Sequence, residues 1–265
     1  MAPKNKKPGT ALVKWEEELA KDAELQSKIS NDTGSGGNWL SIKGGRLSYQ
    51  GEEIQGGAIN AVVIGFVYEN QYYNKPYDPS VIDVPVCYAF GESDENMAPH
   101  KEASEPQFDQ CTGCPLNEFG SAQTGKGKAC KNVVRLALIP EAELDDLGAL
   151  ETLPVAFLKV PPTSRKAWNS YAKKICQDTD GNKPTFFFIT KIRVHPDPKT
   201  QVRVEFSAED TLKNRPNGAA EYKALKAKAL AVKGEMMAPY PKPEDIEQPK
   251  PKARTNQKFA PKARR

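Results

Sequence analysis

The chain has 265 residues, of which 38% are hydrophobic, and it carries 38 Lys and Arg against 34 Asp and Glu. No apolar run approaches the roughly 20 residues that a membrane helix needs, and the charged N-terminus lacks the apolar stretch of a signal peptide. We therefore expect a cytoplasmic protein that makes no membrane contact. The basic residues concentrate at the two ends, and basic ends of this kind either contact nucleic acid or acidic surfaces or remain solvated.

The first predicted element is a helix over residues 10–29, within a basic N-terminal arm that ends at residue 37. Residues 38–90 then show short alternating runs broken by glycines, which are typical of hairpins, and two longer apolar stretches rich in β-branched residues. Periodicity is lost over residues 91–130. Beyond them we predict a strand over 133–140, a short helix over 141–150, a strand over 155–160, a helix over 164–177 capped by Ser164, a hairpin over 185–207 and a helix over 217–233.

This order of elements predicts an α+β, β-rich fold. We expect a small antiparallel sheet over residues 38–235 that closes into an OB-like barrel, the oligonucleotide/oligosaccharide-binding architecture, with flanking helices. A loop is inserted between two of its strands at about 87–131. From residue 236 the chain is rich in Pro, Lys and Arg with little to bury, which predicts a disordered basic tail over 236–265.

The inserted loop contains three of the five cysteines, in the sequence CTGCPLNEFGSAQTGKGKAC. Cys111 and Cys114 have the knuckle spacing at which two thiolates meet one tetrahedral ion, Cys130 follows them, and Cys87 precedes them at the end of a predicted strand. In a reducing compartment, clustered cysteines are more often metal ligands than disulfides. We therefore predict a structural zinc ion held by these four cysteines, with His100 as a competing fourth ligand.

Other uses of the cysteines stay open. An iron–sulfur cluster takes the same four ligands, and the cysteines could also be unligated. A redox CxxC pair would open a helix after a strand, whereas here Pro115 and a polar loop follow. The run GSAQTGKGKACK departs from a phosphate-binding loop because Lys128 is followed by Ala129.

Single-stranded nucleic acid is held by cations along a groove and by aromatic rings on which the bases stack. Four segments combine such residues, and the alternative for their aromatic members is the core. The candidates are Trp39, Lys43 and Arg46 in the first hairpin, Tyr68, Tyr72, Tyr73, Lys75 and Tyr77 in and after the long strand, Lys126, Lys128 and Lys131 in the cysteine loop, and Lys191, Arg193 and Arg203 in the last hairpin.

Catalytic motifs are absent from the sequence. It holds only two histidines, His100 and His195, and no GxSxG or HExxH pattern. A zinc ion held by four cysteines has no open position for a substrate. We therefore expect that the protein is not an enzyme.

The run CTGCPLNEFGSAQTGKGKACKNVVRLALIP resembles a segment of tailed-bacteriophage proteins that are described as replication-associated or single-stranded-DNA-binding. The matching parts are the CxxC knuckle, an Asn-x-aromatic-Gly-Ser turn, the Gly-Lys-Gly-Lys-x-Cys loop and the strand that follows. The plan is also similar to that of the helix-destabilising proteins of T-even-type phages, which place a zinc subdomain within a binding barrel.

The resemblance implies a protein that binds single-stranded DNA in phage replication or recombination, in the host cytoplasm and beside other replication proteins. Such proteins typically end in an acidic tail, whereas this chain ends in ARTNQKFAPKARR, so we expect its tail to touch DNA or RNA itself. The second hypothesis is a zinc-containing phage transcription regulator that docks on host RNA polymerase.

Overall fold

A computed structural model describes residues 38–76, 78, 81–177, 183–242, 244 and 246. Within these residues the chain forms one nine-stranded sheet and three α-helices, which confirms the predicted α+β, strand-rich class. The helix predicted over residues 10–29 and the part of the tail from residue 247 onward lie outside the described residues. None of the described helices is long and apolar enough to span a membrane.

The strands and helices follow the predicted order closely. The strands are β1 (Trp39–Lys43), β2 (Arg46–Tyr49), β3 (Glu52–Glu53), β4 (Ala58–Tyr72), β5 (Cys87–Gly91), β6 (Lys131–Pro140), β7 (Ala156–Val160), β8 (Phe188–Asp197) and β9 (Gln201–Thr211). The helices are α1 (Leu147–Thr152), α2 (Arg165–Gln177) and α3 (Gly218–Met236).

Strand β4 organises the sheet, whose order is β3-β2-β1-β7-β6-β4-β8-β9. Its first half pairs with β8, its last five residues pair with β5 on the same side, and β6 pairs along its other side. A register shift between Val63 and Gly65 marks a bulge, which increases the local twist of the strand.

The sheet curls into a half-barrel and is mixed. Among the described strands, all pairs are antiparallel except β1 and β7, which run parallel. The expected antiparallel barrel therefore differs from the observed sheet in this one pair and in its closure. Strands β1 and β7 lie more than 100 residues apart in the chain, so no local pattern could predict the direction of their pairing.

Helices cover both faces of the sheet. On one face, Trp168, Tyr171 and Ile175 of α2 pack into a cluster of buried strand residues. On the other face, Leu225 and Val232 of α3 do the same, together with residues of α1.

Ser164, the residue predicted to cap α2, is the last residue of a 3-10 turn that leads into the helix. Its hydroxyl oxygen accepts a hydrogen bond from the Val204 N–H of β9 (2.9 Å) and not from the first turn of α2. This bond attaches the helix to the edge strand.

The ordered chain continues past residue 236, where the predicted tail begins. After α3, Tyr240 returns to the sheet and is buried against Tyr88 and Phe90 of β5. Ile246 packs against the same cluster. The low apolar content of the tail predicted disorder, but the side chains of Tyr240 and Ile246 attach this part of the tail to the sheet.

Gly218 begins α3 at a position that has no room for a side chain. A Cβ atom added there would overlap the carbonyl oxygen of Leu212, which is main chain and cannot swing aside. We expect Gly218→Ala to lower the free energy of unfolding by about 1–3 kcal/mol in urea denaturation, the usual range for overpacking.

Gly234→Ala is the matched control for this change. Gly234 lies in the same helix, and nothing lies within 4 Å of its added Cβ. Because glycine in a helix costs roughly 0.5–1 kcal/mol relative to alanine, this variant should gain about that much stability. Effects of the same sign at both positions would contradict the steric argument.

Candidate functional site

Four of the five cysteines line one small cavity beside the sheet. Its volume is about 20 Å³, and its lining includes Cys87, Cys111, Cys114 and Cys130. Cys87 begins β5 and Cys130 immediately precedes β6, and both strands pair with the C-terminal part of β4. The structure thus brings together the four thiols that the spacing selects.

The loop that carries Cys111 and Cys114 is held by its main chain. The Cys111 N–H donates to the carbonyl oxygen of Met97 (2.7 Å). Gly113 has a φ of +77°, in the left-handed region that glycine adopts without strain, and it turns the chain between the two cysteines. Cys114 then leads into a short 3-10 helix, Pro115–Asn117.

Polar groups beside three of the cysteines act to lower the pKa of the thiol, against the effect of burial. They are the Asn70 side chain at Cys111, the Gln107 backbone N–H at Cys87 and the Gln71 backbone N–H at Cys130. Hydrogen bonds to sulfur favour the thiolate, which is the form that binds metal ions.

Burial and mutual repulsion oppose ionisation of the same cysteines. Burial raises the pKa of Cys130 to about 12, and the neighbouring thiols of Cys111, Cys87 and Cys114 add to the rise. Burial also raises the pKa of Cys87 and that of Cys111. Several thiolates in this space require a cation that compensates their charge.

Four thiolates are the donor set of a closed structural zinc site. In the part of the chain that the structure describes, no group of three or more His, Cys, Asp or Glu side chains is arranged so that it could hold a metal ion. The donor chemistry of the cavity fits zinc, whereas the side-chain positions are not those of a formed coordination shell.

His100, the competing fourth ligand, is engaged elsewhere. Its ring stacks on Tyr88, with the centroids 5.2 Å apart and 17° between the planes. Its Nδ1 lies 3.4 Å from the Tyr88 hydroxyl and accepts a hydrogen bond from the Glu102 N–H (3.2 Å). Cys87 lines the cavity with the other three cysteines, and His100 is not part of that lining.

Residues 118–128, which we call the loop tip, present an aromatic ring to solvent. Phe119 is 81% exposed, and the Nζ atom of Lys128 lies 5.1 Å from its ring centroid in a cation–π contact. The Gly120 N–H donates to the carbonyl oxygen of Gly127 (2.9 Å), which closes the tip. Lys126 is exposed on the same turn.

Lys131 lies next to the tip, at the start of β6, and it is exposed. Its Nζ donates to the carbonyl oxygen of Lys128 (3.1 Å). Lys128 therefore contacts both the Phe119 ring and the Lys131 side chain, and Lys126 lies two residues away on the loop tip.

The second predicted cationic group lies on the β8–β9 hairpin. Lys191 and Arg193 alternate along β8 and therefore share one face, and Arg203, which stands opposite His195, lies on the same face. This face carries charges of both signs. Lys191 pairs with Glu209 (3.0 Å), and Glu205 stands opposite Arg193.

An open groove of about 450 Å³ borders this hairpin. Its lining is Ala167, Lys191, Arg193, Glu205, Phe206, Ser207 and Glu209. Two cations and two carboxylates balance there, so the groove attracts a phosphate backbone less than the sequence pattern indicates.

The first predicted hairpin provides exposed cations and a buried ring. Lys43 and Arg46 flank the β1–β2 turn, and Arg46 pairs with Glu53 (3.0 Å). Trp39, predicted to stack on bases, is buried, with its centroid 5.3 Å from that of Phe157. Its ring is part of the core in this structure.

The predicted tyrosines of β4 are half-buried. The Tyr68 hydroxyl donates to Asn169 Oδ1 (3.1 Å), and the guanidinium of Arg165 lies 4.8 Å from the centre of its ring. Tyr72 lines the cysteine cavity.

Three predicted residues follow at or beyond the end of β4. The Tyr73 hydroxyl donates to Gln71 Oε1 (3.2 Å). Lys75 is exposed. Tyr77 lies outside the described residues.

Phe119 is the residue that the list of candidates missed. The available signal was an aromatic residue before a glycine in a polar loop, where no hydrophobic periodicity could bury it.

Comparisons of the chain with protein-family models, curated proteins and solved structures found no match.

Proposed function

We propose that this protein binds single-stranded DNA through the loop tip, and that a structural zinc ion in the cysteine cavity holds the tip on the sheet. The observation that carries the proposal is the exposed ring of Phe119 in contact with Lys128. Two further exposed lysines, Lys126 on the tip and Lys131 at the start of β6, belong to the same loop region. A ring of this kind can stack on any exposed base, and the lysines can neutralise phosphates. Duplex DNA keeps its bases stacked inside, so the proposal specifies single strands.

The zinc ion accounts for the defined shape of a polar loop. The buried hydrophobic side chains of residues 92–130 are Met97, Ala103 and Cys114, too few to form a core. Structural zinc contributes apparent binding energies of about 10 kcal/mol or more, which would replace that core. An iron–sulfur cluster takes the same four cysteines, and elemental analysis of the purified protein distinguishes the two.

The remaining parts of the proposal concern context. We propose that the curled half-barrel is an OB-like sheet and that the protein binds DNA without catalysing a reaction. The resemblance to phage proteins implies a role in DNA replication or recombination in the host cytoplasm. Because the β8–β9 face carries charges of both signs, we expect its cations to contribute less to DNA binding than the loop tip does. These cations are Lys191, Arg193 and Arg203.

We expect Phe119→Ala to weaken the binding of a fluorescein-labelled oligo(dT), measured by fluorescence anisotropy at low salt. Stacking of one base on one aromatic residue is worth roughly 1–3 kcal/mol, which corresponds to an increase of about 5- to 150-fold in Kd. Phe119→Trp should retain the affinity because it keeps a ring for stacking.

Leu230→Ala is the matched control, because Leu230 is a large hydrophobic residue that is 74% exposed on α3. It should leave the Kd unchanged. Absence of oligo(dT) binding by the wild-type protein, or equal effects of the two alanine substitutions, would overturn the proposal. If a pull-down from host lysate then captured RNA polymerase through Phe119, the transcription-regulator hypothesis would replace it.

A further inference from the structure

Asn117 connects the cysteine cavity to the loop tip through its side chain. Its Nδ2 donates to the carbonyl oxygen of Cys111 (2.9 Å). Its Oδ1 accepts from Lys128 Nζ (3.3 Å) and from Asn132 Nδ2 (3.0 Å). Because Lys128 also lies over the Phe119 ring, one amide holds the knuckle on one side and the cation of the tip on the other.

A second amide anchors this connection to the sheet. Asn132 of β6 also donates to Asn70 Oδ1 of β4 (2.5 Å), and Asn70 Nδ2 donates to the Sδ atom of Met97 (3.7 Å), whose carbonyl oxygen accepts from the Cys111 N–H (2.7 Å). Asn70 is buried, and Asn132 is partly buried. The two strands and the knuckle thus fix the position of the Asn117 amide.

We infer that Asn117 is a positioning residue, through which the cysteine cluster sets the orientation of the Phe119–Lys128 pair for single-stranded DNA. The inference rests on the proposed function of the tip. Only an amide fits the role, since it must donate to one carbonyl oxygen and accept from two N–H groups. A carboxylate would repel the Cys111 carbonyl oxygen, and alanine would make neither set of bonds.

The main-chain contacts of the loop do not depend on this side chain. The Asn117 N–H donates to the Cys114 carbonyl oxygen (2.9 Å), and the Cys130 N–H donates to the Leu116 carbonyl oxygen (2.9 Å). Replacing the side chain should therefore leave the cysteine cavity in place and release Lys128, together with the ring beneath it.

The test uses full-length protein that carries Phe119→Trp as a reporter. The same background carries Trp15→Phe, because Trp15 lies outside the described residues. The remaining native tryptophans, Trp39 and Trp168, are buried, so acrylamide quenches the introduced indole preferentially. Asn117→Ala and Asn117→Asp are added to this background. We expect both to lower the fluorescence anisotropy of the indole, to increase its quenching and to raise the Kd for oligo(dT) about two- to tenfold. The metal content per chain should stay at that of the parent.

Asn74→Ala is the matched control, because the Asn74 amide donates to Glu105 (3.2 Å) of the same loop without reaching the tip. It should change neither anisotropy nor Kd. The inference fails if the Asn117 variants behave like Asn74→Ala, and it also fails if they lose metal, because Asn117 would then hold the cysteine cluster itself. The quenching and the anisotropy of the indole are measured without DNA, so they test the positioning role by themselves. If the parent protein binds no oligo(dT), the proposed function fails, but these two measurements still show whether Asn117 positions the tip.

Discussion

Replacing Arg135 by alanine is expected to lower the free energy of unfolding by about 3–5 kcal/mol, measured in urea. Arg135 of β6 forms a two-pronged ion pair with Glu69 of β4: Nε lies 3.2 Å from Oε2 and Nη2 lies 3.1 Å from Oε1. Glu69 is fully buried, and Arg135 is 7% exposed. The substitution leaves a buried carboxylate whose remaining partners include Lys159, at 3.9 Å, and the Tyr240 hydroxyl.

Aromatic rings surround the same guanidinium. Its central carbon lies 5.3 Å from the ring centroid of Trp39, 4.9 Å from that of Phe90 and 5.7 Å from that of Tyr240. Arg135→Lys should therefore recover little of the loss, because an ammonium group reproduces neither the two-pronged pairing nor the contacts of the guanidinium with the three rings.

The pH dependence of this effect has a definite sign. Burial alone would raise the pKa of Glu69, but the charges of Arg135 and Lys159 and the hydrogen bonds from Tyr240 and Arg135 hold it below its ordinary 4.5. A lowered folded-state pKa gives stability that is fully present above the unfolded-state pKa and is lost as the pH falls through the folded-state pKa.

In the Arg135→Ala variant the main charge that lowers this pKa is gone, so burial should raise the pKa of Glu69 above 4.5. Protonation then relieves the buried charge. The stability difference between wild type and variant should accordingly shrink between about pH 7 and about pH 4.

The combined variant Glu69→Leu/Arg135→Met provides the control. Replacing both charges by apolar groups of similar size is often neutral, so it should recover most of the stability that Arg135→Ala loses. A combined variant as unstable as Arg135→Ala would show that lost packing, and not an unpaired charge, is the cause.

The cysteine site was accessible to sequence reasoning because its signal is local. The spacing of Cys111 and Cys114 follows from the turn that brings two sulfurs together, and the hairpin alternation placed Lys191 and Arg193 on one face. The buried ion pair was not accessible in the same way. Arg135 stands as a lone charge in VVRLALIP, but its partner Glu69 lies 66 residues earlier, on a strand whose register depends on the whole sheet.

The misplacements have the same physical origin. The polar residues around Trp39 in the sequence indicate an exposed ring. The ring lies in the core instead, because β7 pairs with β1 and brings Phe157 against it. Tyr240 lies in a segment that is rich in Pro and Lys, yet its side chain is buried by contacts with β5. Composition averages over a segment, whereas one well-placed ring is enough to anchor it.

Replacing Cys114 by serine should have the largest effect on the loop, because it removes one of the four proposed zinc ligands. We expect loss of bound zinc, tryptic cleavage within residues 92–130, above all after the exposed Lys126, and loss of oligo(dT) binding. The strands and helices should stay folded, since their core lies in the two clusters on either face of the sheet. Far-ultraviolet circular dichroism, elemental analysis and mass spectrometry of the fragments measure these outcomes.

Cys176→Ser is the matched control, because Cys176 is the fifth free cysteine and lies on α2, whereas the other four line the cavity. It should change none of these readouts. Treating the wild-type protein with a chelator should reproduce the cleavage pattern of Cys114→Ser, and added zinc should reverse it only in the wild type. If the wild-type loop resists trypsin equally well without metal, the hydrogen bonds of its main chain hold it, and the zinc proposal fails while the role of Phe119 in binding can still stand.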